Sequence, residues 1–201
     1  MLRRTFIGGG MAFLGAGFVP RSKRFLLISM TGGPSHTDLF DFHAGPWTPD
    51  WMDPVHGFPR GLLPRLADRL DQIRLIRGLR APNMDHSLAQ QALPACDLSI
   101  RAGRATFAEA CYHARHLMVS TRSMRIDFGS WDHHGNLYEN LRPMGAAFDC
   151  GLSWLMDAFR RDRRAVRIVA MGEFGRAPGP LNQNRGRDHH PVHAALTWEL
   201  A

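Results

Sequence analysis

The sequence predicts a single α/β domain built on a largely parallel sheet with helices on both faces. Three observations carry that expectation. Apolar runs of strand length alternate with segments whose apolar residues recur every three or four positions. The 201 residues, 44% hydrophobic and 21% charged, suffice for one core but not comfortably for two. No internal repeat or low-complexity linker breaks the alternation. Strands that alternate with amphipathic helices pair in parallel and need cover on both faces.

The first element is an address rather than part of the fold. "RRTFIGGGMAFLGAGFV" is a basic start followed by an apolar stretch too short for a secure membrane span. Arg3 and Arg4, followed by Phe6 and Ile7, resemble a twin-arginine signal. Residues 1–24 are therefore expected to engage the twin-arginine export machinery, and residues 25–201 to form the domain. The destination would be periplasmic or extracellular, with an uncleaved membrane anchor as the competing reading.

The remaining elements follow in order. "RFLLISM" (24–30) reads as a buried strand that stops at the turn residues Thr31-Gly32-Gly33-Pro34. Helical spacing predicts a helix over 61–73, and "IRLIRGL" a short strand after it. Phe107, Cys111, Ala114 and Leu117 share one face of a helix over 104–119. "MRIDFG" (124–129) is the next strand. Met144, Phe148, Leu152, Leu155 and Phe159 mark a helix over 141–161. "VRIVAMG" (166–172) and "AALTWEL" complete the set.

Charge and cysteine content narrow the function classes. The formal net charge is +7, but Arg3, Arg4, Arg21, Lys23 and Arg24 concentrate positive charge at the start of the chain. The run Arg160-Arg161-Asp162-Arg163-Arg164 falls where a helix ends, and cations suit a helix C-terminus. No nucleic-acid partner is expected. Three cysteines cannot form a fully paired framework; Cys111 and Cys150 fall on apolar helix faces, where a buried thiol is the ordinary outcome.

Open sheets of this kind bind ligands beyond the carboxyl ends of their strands, so those loops matter most. After 24–30 comes "TGGPSHTDLFD"; after 124–129 comes "SWDHHGN"; after 166–172 come "EFGR" and then "NRGRDHHPVH". Each carries carboxylates, imidazoles or both. Parallel neighbouring strands would bring these loops to one edge, and such a donor mixture suits zinc, manganese or iron. Asp38, Asp41 and Asp188 have helix or turn capping as an alternative role.

The stretches "GGPSHTDLFD", "MDHSLAQ", "WDHHGN", "MGEFGRAP" and "GRDHHP" resemble, in order, motifs of the secreted DUF1501 proteins, which are grouped with alkaline phosphatases and sulfatases. The resemblance implies an alkaline phosphatase-like fold, here in shortened form. It also implies metal-assisted hydrolysis of a small anionic phosphate or sulfate ester. One or two divalent ions (zinc, manganese or calcium) would be held by Asp132, His134, Glu173, Asp188 and His189, with Asp38 and His86 as further ligands. His133 falls where the family pattern usually has a threonine, so the resemblance makes His134 the better ligand candidate. Ser87, Ser35 or water would be the nucleophile, and Arg176 would steady the anionic group. A non-catalytic metal- or partner-binding form, or a gene fragment without function, is the alternative.

Overall fold

The computed structural model describes residues 23–200; residues 1–22 of the expected export signal lie outside them, and Arg24 already belongs to the first strand. The chain lays down β1 (Arg24–Met30), a small hairpin of β2 (Pro54–Val55) and β3 (Phe58–Pro59), α1 (Pro64–Ala67), β4 (Ile73–Arg80) and α2 (His86–Gln91). It continues with β5 (Leu98–Ala102), α3 (Phe107–Leu117), β6 (Ser123–Phe128), α4 (Leu137–Arg161) and β7 (Val166–Met171). A second hairpin, β8 (Gly175–Arg176) with β9 (His189–His190), precedes β10 (Val192–Glu199).

Six strands form the central sheet in the order β4-β10-β7-β1-β6-β5. β1 pairs in parallel with both β6 and β7, and β5 with β6. β10 runs antiparallel to β7 and β4, so it alone reverses the common direction. Alternation along β1 sends Leu26, Ile28 and Met30 to the face covered by α1, α3 and α4, while Phe25 and Leu27 face the other way. That second face is packed by Leu93 and Cys96, from the segment following α2. Among the described residues no helix is long and apolar enough to cross a membrane.

Several local expectations change. The helix expected over 61–73 shrinks to the four residues of α1, which starts on Pro64 at its first turn. The buried Asp149 of α4 caps it, accepting from the N–H groups of Arg65 (3.1 Å) and Leu66 (2.9 Å). Asp149 occupies the inward position and Cys150 is exposed, contrary to expectation. Leu117, expected on the apolar face, is also exposed, and Met118 is buried instead. α4 begins at Leu137 rather than 141 and tolerates Pro143 in its second turn. β5 and α2 were not expected. β5 is an edge strand with a short alternation of Leu98, Ile100 and Ala102, and α2 is announced by its N-cap Asp85, which accepts from Leu88 N–H at 3.1 Å.

Candidate metal centre

The carboxyl ends of β1, β6 and β7 deliver their loops to one edge. Close backbone approach makes this possible at two glycines. Gly32 has φ of 109° and lies so near the 131–132 peptide that a Cβ would stand 2.5 Å from Asp132 N. Gly186 lies against the His134 carbonyl, where a Cβ would meet the carbonyl carbon at 2.0 Å. The first ties the β1 loop to "SWDHHGN", and the second ties "NRGRDHH" to the same stretch.

At the junction, one ligand atom each from His86, Asp132 and His189 lies within 4.8 Å of the others. The hydrogen bonds behind them set the tautomers. His86 Nδ1 is 2.7 Å from Glu173 Oε1, a carboxylate oxygen that also accepts from Gly32 N–H at 2.9 Å. An accepting oxygen there puts the His86 proton on Nδ1 and leaves a lone pair on Nε2, which is buried and has no hydrogen-bond partner. His189 Nδ1 is 3.1 Å from the Met84 carbonyl, so its Nε2 is likewise a lone-pair nitrogen. Orienting an imidazole through its far nitrogen is how proteins prepare it for a metal.

His134 adds a third nitrogen of the same kind. Arg176 Nη1 can only donate, so at 3.1 Å it makes His134 Nε2 an acceptor. His134 Nε2 then stands 3.1 Å from His189 Nε2 and 3.1 Å from Asp132 Oδ1. Three lone-pair nitrogens and a carboxylate converge, with a single arginine as counter-charge. The donor set fits a divalent cation of the zinc, manganese or iron type.

Electrostatics agree with a neutral His189 and an ionised Asp132. Burial, then Arg176 and the neighbouring histidines, lower the pKa of His189. For Asp132 burial acts upward, but the Arg176 hydrogen bond and charge, with His134 and His86, leave the carboxyl below its ordinary value. An open polar groove of about 570 Å³, lined by His134, Gly135, Asn136, Gln183, Asn184 and Arg185, adjoins the cluster.

The other residues singled out in the sequence lie around this centre in distinct roles. Glu173 is buried behind His86 rather than facing the cluster. Asp188 is exposed and contacts His134 Nδ1 at 3.4 Å. Arg176, 1% exposed, donates to the carbonyls of Gly33 (2.7 Å), Gly32 (2.5 Å) and Arg187 (3.0 Å) and to Asp132, which leaves it turned inward rather than toward a substrate. Asp38 is paired with Arg187, whose Nε and Nη2 approach its two oxygens at 2.7 and 3.3 Å, and lies apart from the His86–Asp132–His189 group. Ser35 Oγ at 2.5 Å and Tyr138 OH at 2.8 Å complete its shell. Ser35 is therefore buried and committed, whereas Ser87 is exposed in the first turn of α2 beside His86.

Sequence reading missed Arg187, Tyr138 and His193. His193 is 5% exposed, its Nδ1 is unpartnered, and burial lowers its pKa to about 4. The charge of Glu173, whose Oε2 is also buried without a partner, acts on His193 in the opposite sense. The only local signal was the histidine of "PVHAAL" two residues after a proline.

Residues 89–199 match the family described as "Protein of unknown function (DUF1501)". No curated protein matches in sequence. The fold is similar to that of the C-terminal periplasmic domain of EcEptC from Escherichia coli, solved in complex with Zn: TM-score 0.55, 10% identity, 90% of this chain and 74% of that one. It is similar too to the C-terminal periplasmic domain of phosphoethanolamine transferase EptC from Campylobacter jejuni: TM-score 0.53, 9% identity, 88% of this chain and 79% of that one. At such identities the likeness is one of fold, and it bears out the alkaline phosphatase-like α/β architecture.

Proposed function

Given that the chain belongs to the DUF1501 family, we propose that it is an exported, metal-dependent hydrolase of phosphate or sulfate esters. The observation that carries this reading is the convergence of the His86 and His189 Nε2 atoms on Asp132, each imidazole anchored through Nδ1. The Zn complex and the phosphoethanolamine transferase among the similar folds support a metal-assisted phosphoester chemistry.

His86, Asp132 and His189 would hold the ion, with His134 at its margin. When bound, a divalent ion supplies Lewis-acid polarisation of an ester oxygen and lowers the pKa of water. The chain's own residues do the rest. Glu173 keeps the His86 proton on Nδ1, and the Met84 carbonyl does the same for His189. Arg176 orients Asp132 and offsets its charge. His134, half exposed, presents its ring on the side of the groove. The amide-rich groove receives the remainder of the ester. Ser87 is the exposed hydroxyl next to His86, and water is the other nucleophile available.

One observation favours a second reading, a metal-binding protein without turnover. Arg176 is fully engaged by backbone carbonyls and Asp132, so it leaves no free guanidinium for the anionic group.

The test is metal content by elemental analysis together with turnover of aryl phosphate and aryl sulfate esters, in the native protein and in Asp132→Ala and His86→Ala. The hydrolase reading expects bound metal and turnover, both lost in each variant. Metal without turnover selects the second reading. Metal content unchanged by both substitutions overturns the ligand assignment.

A further inference from the structure

The edge of the sheet opposite the metal centre carries a surface with no part in the chemistry above. β1, β6 and β7 begin there. Arg24 N–H donates to Ala165 O at 3.2 Å, Phe25 N–H to Arg122 O at 2.9 Å, and Leu200 N–H to Val166 O at 3.1 Å. α3 and α4 run back along the sheet and also end at this edge. It is therefore crowded with basic residues: Arg24, Arg115, Arg122, Arg160, Arg161, Arg163, Arg164 and Arg167.

Some of these have a local explanation. Arg160 and Arg161 complement the C-terminus of α4. Arg115 and Arg164 pair with Asp162, and Lys23 and Arg167 with Glu199. Asp97 is occupied by the Ser123 N–H. Arg122 and Arg163 stand apart. Both are exposed, and neither side chain forms a hydrogen bond or ion pair among the described residues. Arg163 even holds a left-handed φ of 49° beyond the end of α4. The acids of this edge are already matched, so the surplus positive charge faces solvent.

Apolar groups share the same surface. Leu117 and Val119 are 38% and 58% exposed, and Arg24 Nη2 donates to the Val119 carbonyl at 2.9 Å. The chain reaches this edge through Lys23, with Pro20, Arg21 and Ser22 between it and the apolar stretch of residues 5–19. Cations beside exposed aliphatic side chains, at the point where an apolar segment joins the domain, match the layered chemistry of an anionic lipid surface. A nucleic-acid backbone would use the arginines and leave Leu117 and Val119 without a role.

We propose that this edge docks on an anionic lipid surface, with Arg122 and Arg163 at the headgroups and Leu117 and Val119 at the acyl boundary. The metal centre, at the other end of the strands, then faces away from the membrane. The inference does not rest on the hydrolase reading.

Flotation of the full chain with vesicles tests it, using phosphatidylcholine alone and phosphatidylcholine mixed with phosphatidylglycerol. The readout is the ratio of binding to the anionic over the neutral vesicles, because residues 1–22 are identical in every protein compared. The native chain is expected to prefer anionic vesicles, and Arg122→Glu/Arg163→Glu to lose at least about five-fold of that preference per arginine. Leu117→Ser/Val119→Ser is expected to weaken binding to both vesicle types. Circular dichroism confirms that each variant is folded. An unchanged ratio in the folded arginine variant overturns the proposal. So does a native chain that binds single-stranded RNA through these arginines while showing no vesicle preference.

Discussion

The guanidinium of Arg176 is buried and reaches Asp132, the half-exposed carboxylate at the centre of the histidine cluster. The same guanidinium holds the carbonyls of Gly32, Gly33 and Arg187. One side chain thus ties the loops after β1, β6 and β7 together and sets the position of a candidate ligand. Truncating it leaves buried carbonyls unsatisfied and Asp132 without its counter-charge. Arg176→Met is expected to cost about 3 kcal/mol, a fall in Tm of about 6–12 °C for a chain of this size. Thermal unfolding followed by circular dichroism reads it. A Tm within about 1 °C of the native protein would show that the loops do not depend on this residue.

Glu173 sits behind His86 at the candidate metal centre. In Glu173→Gln the side chain keeps its shape and one accepting oxygen but loses the charge that fixes the His86 proton. Zinc affinity, measured by competition with a chromophoric chelator, is expected to fall about 10- to 100-fold. Stability without metal should not fall, since the Glu173 Oε2 atom is buried and unpartnered. Equal affinity in the two proteins rejects the positioning role.

Much of the frame was legible in the chain. β1, β7 and β10 are apolar runs buried for most of their length, β6 alternates buried Met124, Ile126 and Phe128 with polar residues, and the inward residues of α4 recur at helical spacing. β5 was not legible, because an edge strand buries one face and Leu98–Ala102 is short. α1 reads as a longer helix than it is, because Leu70 and Ile73 continue the period after the chain has already turned. At the site, Asp132, His86 and His189 were singled out individually. What spacing could not separate was ligand from support. Asp38 looks like a ligand in "SHTDLFD" until Arg187, 149 positions later, is seen to occupy it. Arg176 looks like a substrate contact until its inward turn is seen. Partnerships between distant loops leave no local mark.

The surroundings of Asp38 point to a structural role. Its pairing with Arg187 is buried on both sides, and both oxygens are engaged. Breaking a buried pair by removing one charge costs about 3–5 kcal/mol. Asp38→Asn is expected to lose that much in urea unfolding, while the folded fraction keeps near-native zinc affinity. Asp132→Asn should behave in the opposite way, losing zinc affinity with a smaller loss of stability. An Asp38→Asn protein of native stability that no longer binds zinc would return Asp38 to the ligand set.

The buried histidines predict how stability responds to acid. Burial is the largest influence on His36, His133 and His193, and lowers each from 6.5 to about 4. The unfolded chain takes up these protons near pH 6.5 and the native state only near pH 4, so between those values the unfolded state binds more protons. Stability is therefore fully present above about pH 6.5 and declines as pH falls toward about 4, where the native histidines protonate too. At pH 5 each histidine accounts for a loss on the order of 2 kcal/mol relative to pH 7. Urea unfolding of chelator-treated protein at the two pH values measures the difference. His193→Gln removes one titrating group and is expected to shrink the gap by about that amount. A gap unchanged by the substitution would mean that His193 takes up its proton without cost in the folded state, and that its buried, unpartnered Nδ1 is not held neutral.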